Sequence, residues 1–79
     1  MIYAQLESLT NGLDSDRKNA KKLQFNTYYE VERVEINSSI TYVKLKVFDN
    51  YFNSVNLKFF SDTNGTPYDI FSNKDYYVF

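Results

Sequence analysis

The chain contains no cysteine, no histidine and no tryptophan, and among its 79 residues it has only two glycines and one proline. Without cysteine, the fold cannot be stabilised by disulfide bonds or by a cysteine-ligated zinc ion. The lack of cysteine and histidine also removes the side chains that most often act as nucleophile and general base. None of the common phosphate-binding, zinc-protease or serine-hydrolase motifs occurs either. We therefore expect a protein that is not an enzyme.

The carboxylates best placed to bind a cation are those of Asp14 and Asp16, which follow Asn11 in a polar stretch. A calcium loop of the EF-hand type needs a glycine at its sharp turn and a distal bidentate glutamate. The spacing from Asn11 to Asp16 provides neither. We therefore predict that these carboxylates are solvated, and that the protein has no metal site and no cofactor.

Charge and hydropathy give no sign of a membrane or of a strongly basic surface. The net charge is −1, so there is no overall attraction to nucleic acid or to an acidic membrane. No apolar run approaches the length of a membrane span, and the first residues, "MIYAQLESLTNG", lack the basic start and apolar core of a signal peptide. These features predict a cytoplasmic protein.

Aromatic side chains are what the sequence has in excess, with eight tyrosines and seven phenylalanines. A chain of this size forms one domain, which we place over residues 1–79, and folding buries only about 60% of the unfolded surface. Large aromatic rings are therefore expected to supply much of the core.

The first third of the chain predicts one strand and one ambiguous segment. Apolar residues alternate with polar ones from Ile2 to about Leu9, which indicates a strand, and "TNG" at 10–12 is typical of a turn. Residues 13–27 allow two interpretations: a long loop, or a short helix capped by Asp14 or Ser15 that directs Ala20 and Leu23 inward.

The segment "YYEVERVEI" (28–36) contains a change of phase. Tyr29 and Val31 share one parity, whereas Val34 and Ile36 share the other. One extra residue, at Glu32 or Arg33, would place all four on one face, so the pattern predicts a β-bulge. The bulge aligns Tyr29, Val31, Val34 and Ile36 with a partner strand at Val47, Leu45, Val43 and Thr41, and leaves "NSSI" as the hairpin loop.

Three further elements complete the predicted fold. Residues 41–60 alternate so regularly that we expect one hairpin with a turn around Asp49–Asn53 and the pairs Val47–Val55, Leu45–Leu57 and Val43–Phe59. The turn "TNGTP" (63–67) should return "YDIF" (68–71) beside Lys58–Ser61, and "SNKD" (72–75) should form a 3₁₀ turn before a last strand. The whole predicts a mainly β protein: a small SH3-like antiparallel barrel of about five strands, with the ambiguous first loop.

Lysines and aromatic residues alternate on the predicted outer face. Lys44, Lys46 and Lys58 point away from the core between Tyr42, Phe48 and Phe60, and basic residues beside exposed rings are typical of single-strand nucleic-acid binders. In the same register Lys44 lies opposite Lys58. The competing interpretation is a cross-strand ladder in which Glu30 and Glu32 neutralise Lys46 and Lys44.

Adjacent aromatic pairs predict that several rings lie outside the core. Neighbouring residues of a strand face opposite sides, so one ring of Tyr28/Tyr29, Tyr51/Phe52 and Phe59/Phe60 should point outward. We select Tyr42, Phe48, Phe60 and Tyr51, with the three lysines above, as candidate partner-binding residues. The alternative is that helix or tail residues cover these rings. A second candidate is the basic cluster of the first loop, where Arg17, Lys18, Lys21 and Lys22 would dock a partner or remain solvated.

Three stretches together resemble a known group of proteins: "YYEVERVEINSSITYVKLKVF", "FNSVNLKFF" and "DTNGTPYDIF". They are similar to small, mostly uncharacterised proteins of phages and prophages of low-GC Gram-positive bacteria, over about residues 1–75. The resemblance implies an SH3-like β-barrel and a phage origin, hence a place in the host cytoplasm. It implies no activity, because no catalytic or binding residue comes with the pattern.

The leading functional hypothesis is a non-catalytic phage accessory protein that binds a host or phage protein and inhibits a host defence or replication factor. Surplus aromatic residues without catalytic groups favour it. One alternative is a small barrel that binds single-stranded nucleic acid through Lys44, Lys46 and Lys58. The other is a structural protein that associates into homo-oligomers through its strand edges or aromatic faces.

Overall fold

The computed structural model describes residues 1–72 and the backbone of residues 77–78. Their elements, in chain order, are β1 (Tyr3–Leu6), α1 (Asp14–Ala20), β2 (Tyr29–Ile36), β3 (Thr41–Leu45), β4 (Tyr51–Asn53), a 3₁₀ turn (Ser54–Asn56), β5 (Leu57–Phe60) and β6 (Tyr77–Val78). The predicted mainly β fold with about five antiparallel strands is confirmed. The choice left open for residues 13–27 is resolved as a short helix followed by a loop.

The strands form a sheet in the order β4-β3-β2-β1-β5, in which all neighbours are antiparallel. β6 lies outside this path and pairs in parallel with the second half of β2. Within the described residues the path is open, since no pairing joins β4 to β5. Closure of the sheet into an SH3-like barrel therefore stays a prediction.

The β-bulge in β2 is confirmed. Val34 pairs with Val43 and Val31 pairs with Leu45, and the register shifts between Val31 and Arg33. The bulge keeps the apolar groups on one side, where Val34, Val43 and Leu45 are fully buried. The predicted pair of Tyr29 with Val47 does not form, because β3 ends at Leu45 and Val47 is exposed.

The predicted hairpin over residues 41–60 is wrong. The chain turns earlier, over residues 46–50, and Val43 pairs with Phe52 instead of Phe59. The Asn53 side chain then accepts a hydrogen bond from the Val55 backbone N–H, which starts the 3₁₀ turn and redirects the chain. β5 consequently pairs with β1, so Lys58 lies opposite Gln5 and not opposite Lys44.

The segment after β5 returns as predicted. Pro67 bridges Phe60, and the backbone N–H of Tyr68 donates to the carbonyl of Phe59 at 3.0 Å. Ile70 is buried in the core. The predicted 3₁₀ turn at 72–75 lies outside the described residues except for Ser72.

The helix α1 begins without a side-chain cap from Leu13. Instead the carboxylate of Asp16, in the first turn, accepts a hydrogen bond from the backbone N–H of Leu13 at 2.9 Å, so neither predicted cap, Asp14 or Ser15, is used. Ala20 and Leu23 turn inward, as predicted. They complete one apolar core, whose buried members are Ile2, Ala4, Leu6, Ala20, Leu23, Val31, Val34, Val43, Leu45, Phe52, Leu57 and Ile70.

Candidate interaction surface

Lys44 of β3 and Lys46, just after β3, form the predicted charge ladder with β2. Lys44 Nζ lies 3.7 Å from a carboxylate oxygen of Glu32, and Lys46 Nζ lies 3.5 Å from one of Glu30. The Lys44 side chain is only 16% exposed, and its ammonium also donates to the backbone carbonyl of Leu45 at 2.9 Å. Both positive charges are therefore engaged within the sheet.

A second outer surface lies across β1 and β5 and is made of Tyr3, Tyr28, Phe60 and Lys58, which we call the aromatic face. Tyr3 is directly opposite Phe60 in the β1–β5 pair. The Tyr28 ring stands edge-on to both, with centroid distances of 6.4 Å to Tyr3 and 5.3 Å to Phe60. All three rings are partly exposed. Their mutual edge contacts hold them in place before any partner arrives, which lowers the entropy lost on binding.

Lys58 supplies the charge of the aromatic face. Its Nζ lies 6.0 Å from the centroid of the Phe60 ring, within the range of a cation–π contact. The side chain is exposed, and no carboxylate in the described part of the chain forms an ion pair with it. The aromatic face thus combines three ordered rings with one positive charge that the sheet does not neutralise.

Alternation along the strands explains how the sequence builds this face. Tyr28 and Phe60 point outward, while their neighbours Tyr29 and Phe59 pack against the core. The predicted division of adjacent aromatic pairs is confirmed in both cases. The same holds for Phe52, which is 2% exposed beside the partly exposed Tyr51.

The predicted partner-binding aromatics are spread over different parts of the chain. Phe60 belongs to the aromatic face, whereas Tyr42 and Tyr51 lie on the neighbouring strands β3 and β4, where the guanidinium of Arg33 donates to the Tyr51 hydroxyl at 3.2 Å. The placement of Phe48 on the outer face is wrong. Its ring packs edge-on against Tyr29 at 5.8 Å and against Phe52 at 5.3 Å, at the border of the core.

Tyr3 and Tyr28 were missed by the sequence reasoning, although two signals mark them. Tyr3 has the outward parity of β1, and Tyr28 is the outward member of an aromatic pair. Their contact with Phe60 could be predicted only if β5 was paired with β1, whereas the hairpin expected from the sequence pairs it with β3.

The basic cluster of the first loop lies on α1 and the turn that follows it. Arg17 bonds with the carboxylate of Asp14 and with the carbonyl of Gly12, and Lys22 Nζ lies 3.4 Å from the side-chain oxygen of Asn50. Within residues 1–72, Lys18 and Lys21 have no ion pair and are exposed. Whether this cluster docks a partner stays a prediction.

Asp16 has a structural role, and the prediction that its carboxylate is solvated is wrong. The residue is 6% exposed, and one of its carboxylate oxygens accepts hydrogen bonds from the Leu13 backbone and, at 3.2 Å, from the Asn53 side chain. Among the described residues, no three acidic, histidine or cysteine side chains group around a common point. In the same part of the chain, no helix has the length and apolarity to cross a membrane.

A polar clip ties the loop before α1 to the 3₁₀ turn. The Asn56 side chain is 2% exposed; its oxygen accepts from the Asn11 backbone N–H at 3.1 Å, and its amide donates to the Asn11 carbonyl at 3.0 Å. The Asn11 side chain donates to the carbonyl of Val55 and to the hydroxyl of Ser8. The clip satisfies buried polar groups at the junction of β4 and β5.

The loop over residues 62–66 borders the aromatic face. The Asp62 carboxylate accepts hydrogen bonds from the Thr66 hydroxyl at 2.7 Å, the Asn64 backbone N–H at 2.8 Å and the Thr66 backbone N–H at 3.2 Å. These bonds, led by that of the Thr66 hydroxyl, lower the pKa of Asp62. A Cβ atom on Gly65 would lie 3.7 Å from the Tyr28 hydroxyl, so the loop lies close to the edge of the aromatic face.

Comparison with known proteins identifies the origin of the chain. The family model described as "Bacteriophage T4 protein Y07B" matches residues 1–78. A protein of Enterobacteria phage T4, "Uncharacterized 11.2 kDa protein in segB-ipI intergenic region", is 42% identical over 79 residues, which cover 92% of this chain and 83% of the relative. No solved structure matches.

The chain therefore belongs to the T4 Y07B family of small phage proteins. The phage origin expected from the sequence is confirmed. The low-GC Gram-positive host is not confirmed, since the matched relative comes from an enterobacterial phage.

Proposed function

We propose that this phage protein is a non-catalytic accessory protein that binds another protein through its aromatic face and thereby inhibits a host defence or replication factor in the host cytoplasm. The observation that carries the proposal is the set of three partly exposed, mutually ordered rings beside the ammonium of Lys58, which has no ion pair within the described residues. Aromatic residues that are held in place, next to a cation, are the usual anchors of protein interfaces.

The partner expected from this chemistry is a protein with an apolar pocket or ridge beside a carboxylate. The rings would enter or cover the apolar part, and Lys58 would pair with the carboxylate. We also propose that the sheet closes into the SH3-like barrel inferred from the sequence. The order β4-β3-β2-β1-β5 supports closure, because the 3₁₀ turn links the two strands at its ends.

The test compares two variants on the two outer surfaces. Tagged wild-type protein, Phe60→Ser and Tyr42→Ser would be used to isolate partners from lysate of phage-infected cells, with and without nuclease, and the captured protein would then be purified and titrated. Removal of an interface anchor costs about 2 kcal/mol or more, so Phe60→Ser should weaken binding more than tenfold while Tyr42→Ser leaves it nearly unchanged.

A second variant, with a change at the surface, distinguishes a loss of binding from a failure to fold. Lys58→Glu alters an exposed charge outside the core and should reduce the association rate and affinity while circular dichroism stays the same. Full binding by both Phe60→Ser and Lys58→Glu would overturn the proposed role of the aromatic face.

The second candidate, single-stranded nucleic-acid binding, is favoured by one observation, the position of Lys58 over the ring of Phe60. Bases stack on exposed rings, and a nearby ammonium can contact a phosphate. This function predicts capture that nuclease abolishes, and an affinity for a labelled oligonucleotide that falls linearly with the logarithm of salt concentration. Absence of binding at low salt would exclude it.

A further inference from the structure

Both glycines of the chain follow an asparagine, in Asn11–Gly12 and Asn64–Gly65. In an Asn-Gly pair, the missing side chain of glycine leaves its backbone nitrogen free to approach the asparagine side chain. The reaction also needs an asparagine amide that can rotate toward this nitrogen. The two pairs share their chemistry and differ in how the fold holds them.

Asn11 is fixed by four hydrogen bonds. Its backbone N–H and carbonyl both bond to the buried Asn56 side chain, and its own side-chain amide donates to Val55 at 3.1 Å and to Ser8 at 3.2 Å. Gly12 is also packed closely, since a Cβ atom there would lie 2.8 Å from Asp16 Oδ2. Rotation of the Asn11 amide toward Gly12 would break two of these bonds and disturb the clip.

Within residues 1–72, Asn64 is held by a single hydrogen bond, from its backbone N–H to the Asp62 carboxylate. Among the described residues, its side-chain amide has no hydrogen-bond partner, and neither has the backbone N–H of Gly65. Both residues are exposed. The side-chain carbonyl carbon of Asn64 and the backbone nitrogen of Gly65 therefore lie on exposed residues, and no hydrogen bond within the described residues restrains them.

We propose that Asn64 is a site of spontaneous deamidation in the folded protein, and that Asn11 is protected from the same reaction. The Gly65 backbone nitrogen loses its proton to a base in solution and attacks the side-chain carbonyl carbon of Asn64. A C–N bond forms, the bond to the side-chain nitrogen breaks, and ammonia leaves with the proton it takes up. Water then opens the resulting succinimide at either carbonyl and yields aspartate or isoaspartate, so that the net change is amide plus water to acid plus ammonia.

Deamidation adds one negative charge to the chain, whose formal net charge is −1 before the reaction. The charge lies next to Gly65, whose position at the Tyr28 hydroxyl borders the aromatic face. If the proposed function holds, this charge opposes the carboxylate expected on the partner and weakens binding as the protein ages. The deamidation itself does not depend on that function.

The test follows both sites in one sample. Purified protein would be incubated in mildly alkaline buffer, and peptide mass spectrometry would measure the conversion of Asn64 and Asn11 over time, folded and in concentrated urea. Conversion at Asn64 should exceed that at Asn11 severalfold in the folded protein and approach it in urea, where the clip is absent. Equal rates in the folded protein, or faster conversion of Asn11, would overturn the proposal.

Two variants separate the chemistry from its consequence. Asn64→Gln keeps the amide, but its longer side chain would have to close a six-membered ring, which forms far more slowly, so the acidic form of the protein on ion exchange should disappear. Asn64→Asp reproduces the charged product and should bind the partner of the aromatic face more weakly than Asn64→Gln. Persistence of the acidic form in Asn64→Gln would contradict the assignment to Asn64, whereas equal binding by the two variants would contradict only the effect on the interface.

Discussion

The charge ladder on β2–β3 and the aromatic face on β1–β5 lie on one sheet and use the same residue types in different ways. In the ladder, Lys44 and Lys46 each lie beside a glutamate of the neighbouring strand. On the aromatic face, Lys58 lies opposite the neutral Gln5 and over the ring of Phe60. The lysines of the ladder form ion pairs within the fold, whereas the lysine of the aromatic face has no ion pair among the described residues.

A count of lysines on a strand therefore says little about binding until strand pairing is known. Each exposed ion pair contributes about 0–1 kcal/mol to stability, so the ladder is a modest stabiliser, but it removes most of the positive potential of β3. The partner of each strand decides which positive charges stay free.

Loss of the contacts that join the two regions should destabilise the protein most. The Asn56 clip anchors the 3₁₀ turn that connects β4 to β5. In Asn56→Ala, the backbone groups of Asn11 lose buried partners, and we expect the free energy of unfolding to fall by about 2–3 kcal/mol. Urea denaturation measures this change.

Asn37→Ala is the matched control for that measurement. Asn37 is exposed and its side chain makes no hydrogen bond within the described residues, so the change should stay within about 0.5 kcal/mol. Equal destabilisation by the two variants would show that the clip has no special role.

A smaller effect separates the two kinds of lysine. The Lys44 side chain is mostly buried, and its ammonium forms an ion pair with Glu32 and donates to the Leu45 carbonyl, so Lys44→Met should cost about 1 kcal/mol of stability. Lys58→Met should change stability by less than about 0.5 kcal/mol, because its ammonium is exposed. Urea denaturation of both variants tests this; the reverse order would contradict the distinction between the ladder and the aromatic face.

The β2–β3 half of this comparison could be predicted from the sequence. The change of phase at Glu32 and Arg33 allowed only one register that buried every apolar residue, and that register placed Glu30 and Glu32 beside Lys46 and Lys44. A one-residue slip would have exposed Val34 and Val43, so the hydrophobic pattern was decisive there.

The β5 half could not be predicted in the same way. Residues 41–60 alternate almost without interruption, so parity alone cannot tell a long hairpin from two short strands that pair with different partners. The decisive feature is a local polar contact, in which Asn53 accepts from the Val55 backbone and starts the 3₁₀ turn. Side-chain capping of this kind competes with strand pairing and leaves little trace in the hydrophobic pattern.

Removal of the ladder carboxylates should make β3 resemble the aromatic face. In the double variant Glu30→Gln, Glu32→Gln, the ammonium groups of Lys44 and Lys46 lose their ion pairs, and the amides still fill the space. We expect a measurable rise in oligonucleotide affinity at low salt and a steeper salt dependence, because neighbouring carboxylates no longer neutralise these two positive charges. Fluorescence anisotropy measures both quantities.

The control for this variant is Glu7→Gln, which neutralises an exposed carboxylate that has no ion pair within the described residues. It changes net charge without releasing a lysine. A similar gain in affinity from Glu7→Gln would show that net charge matters and that the ladder does not mask β3.

The smallest expected effect concerns the loop that borders the aromatic face. Three hydrogen bonds, the strongest from the Thr66 hydroxyl, lower the pKa of Asp62 below its ordinary value of 3.8. The ionised carboxylate is therefore favoured by the folded loop. Its contribution to stability is fully present above pH 3.8 and is lost only as the pH falls through the lower pKa of the folded state.

Because the pKa of Asp62 is lowered, we expect the loop to keep its structure in neutral and mildly acidic solution. In an NMR titration, the carboxyl resonance of Asp62 and the amide resonances of Asn64 and Thr66 should shift together, with a common midpoint below 3.8. Thr66→Val, which removes the hydroxyl and keeps the backbone N–H, should move that midpoint upward, because the largest cause of the lowered pKa is gone. An unchanged midpoint in Thr66→Val would mean that the hydrogen bonds from the backbone N–H groups alone stabilise the ionised carboxylate. The structure of the loop beside the aromatic face would then not depend on the Thr66 hydroxyl.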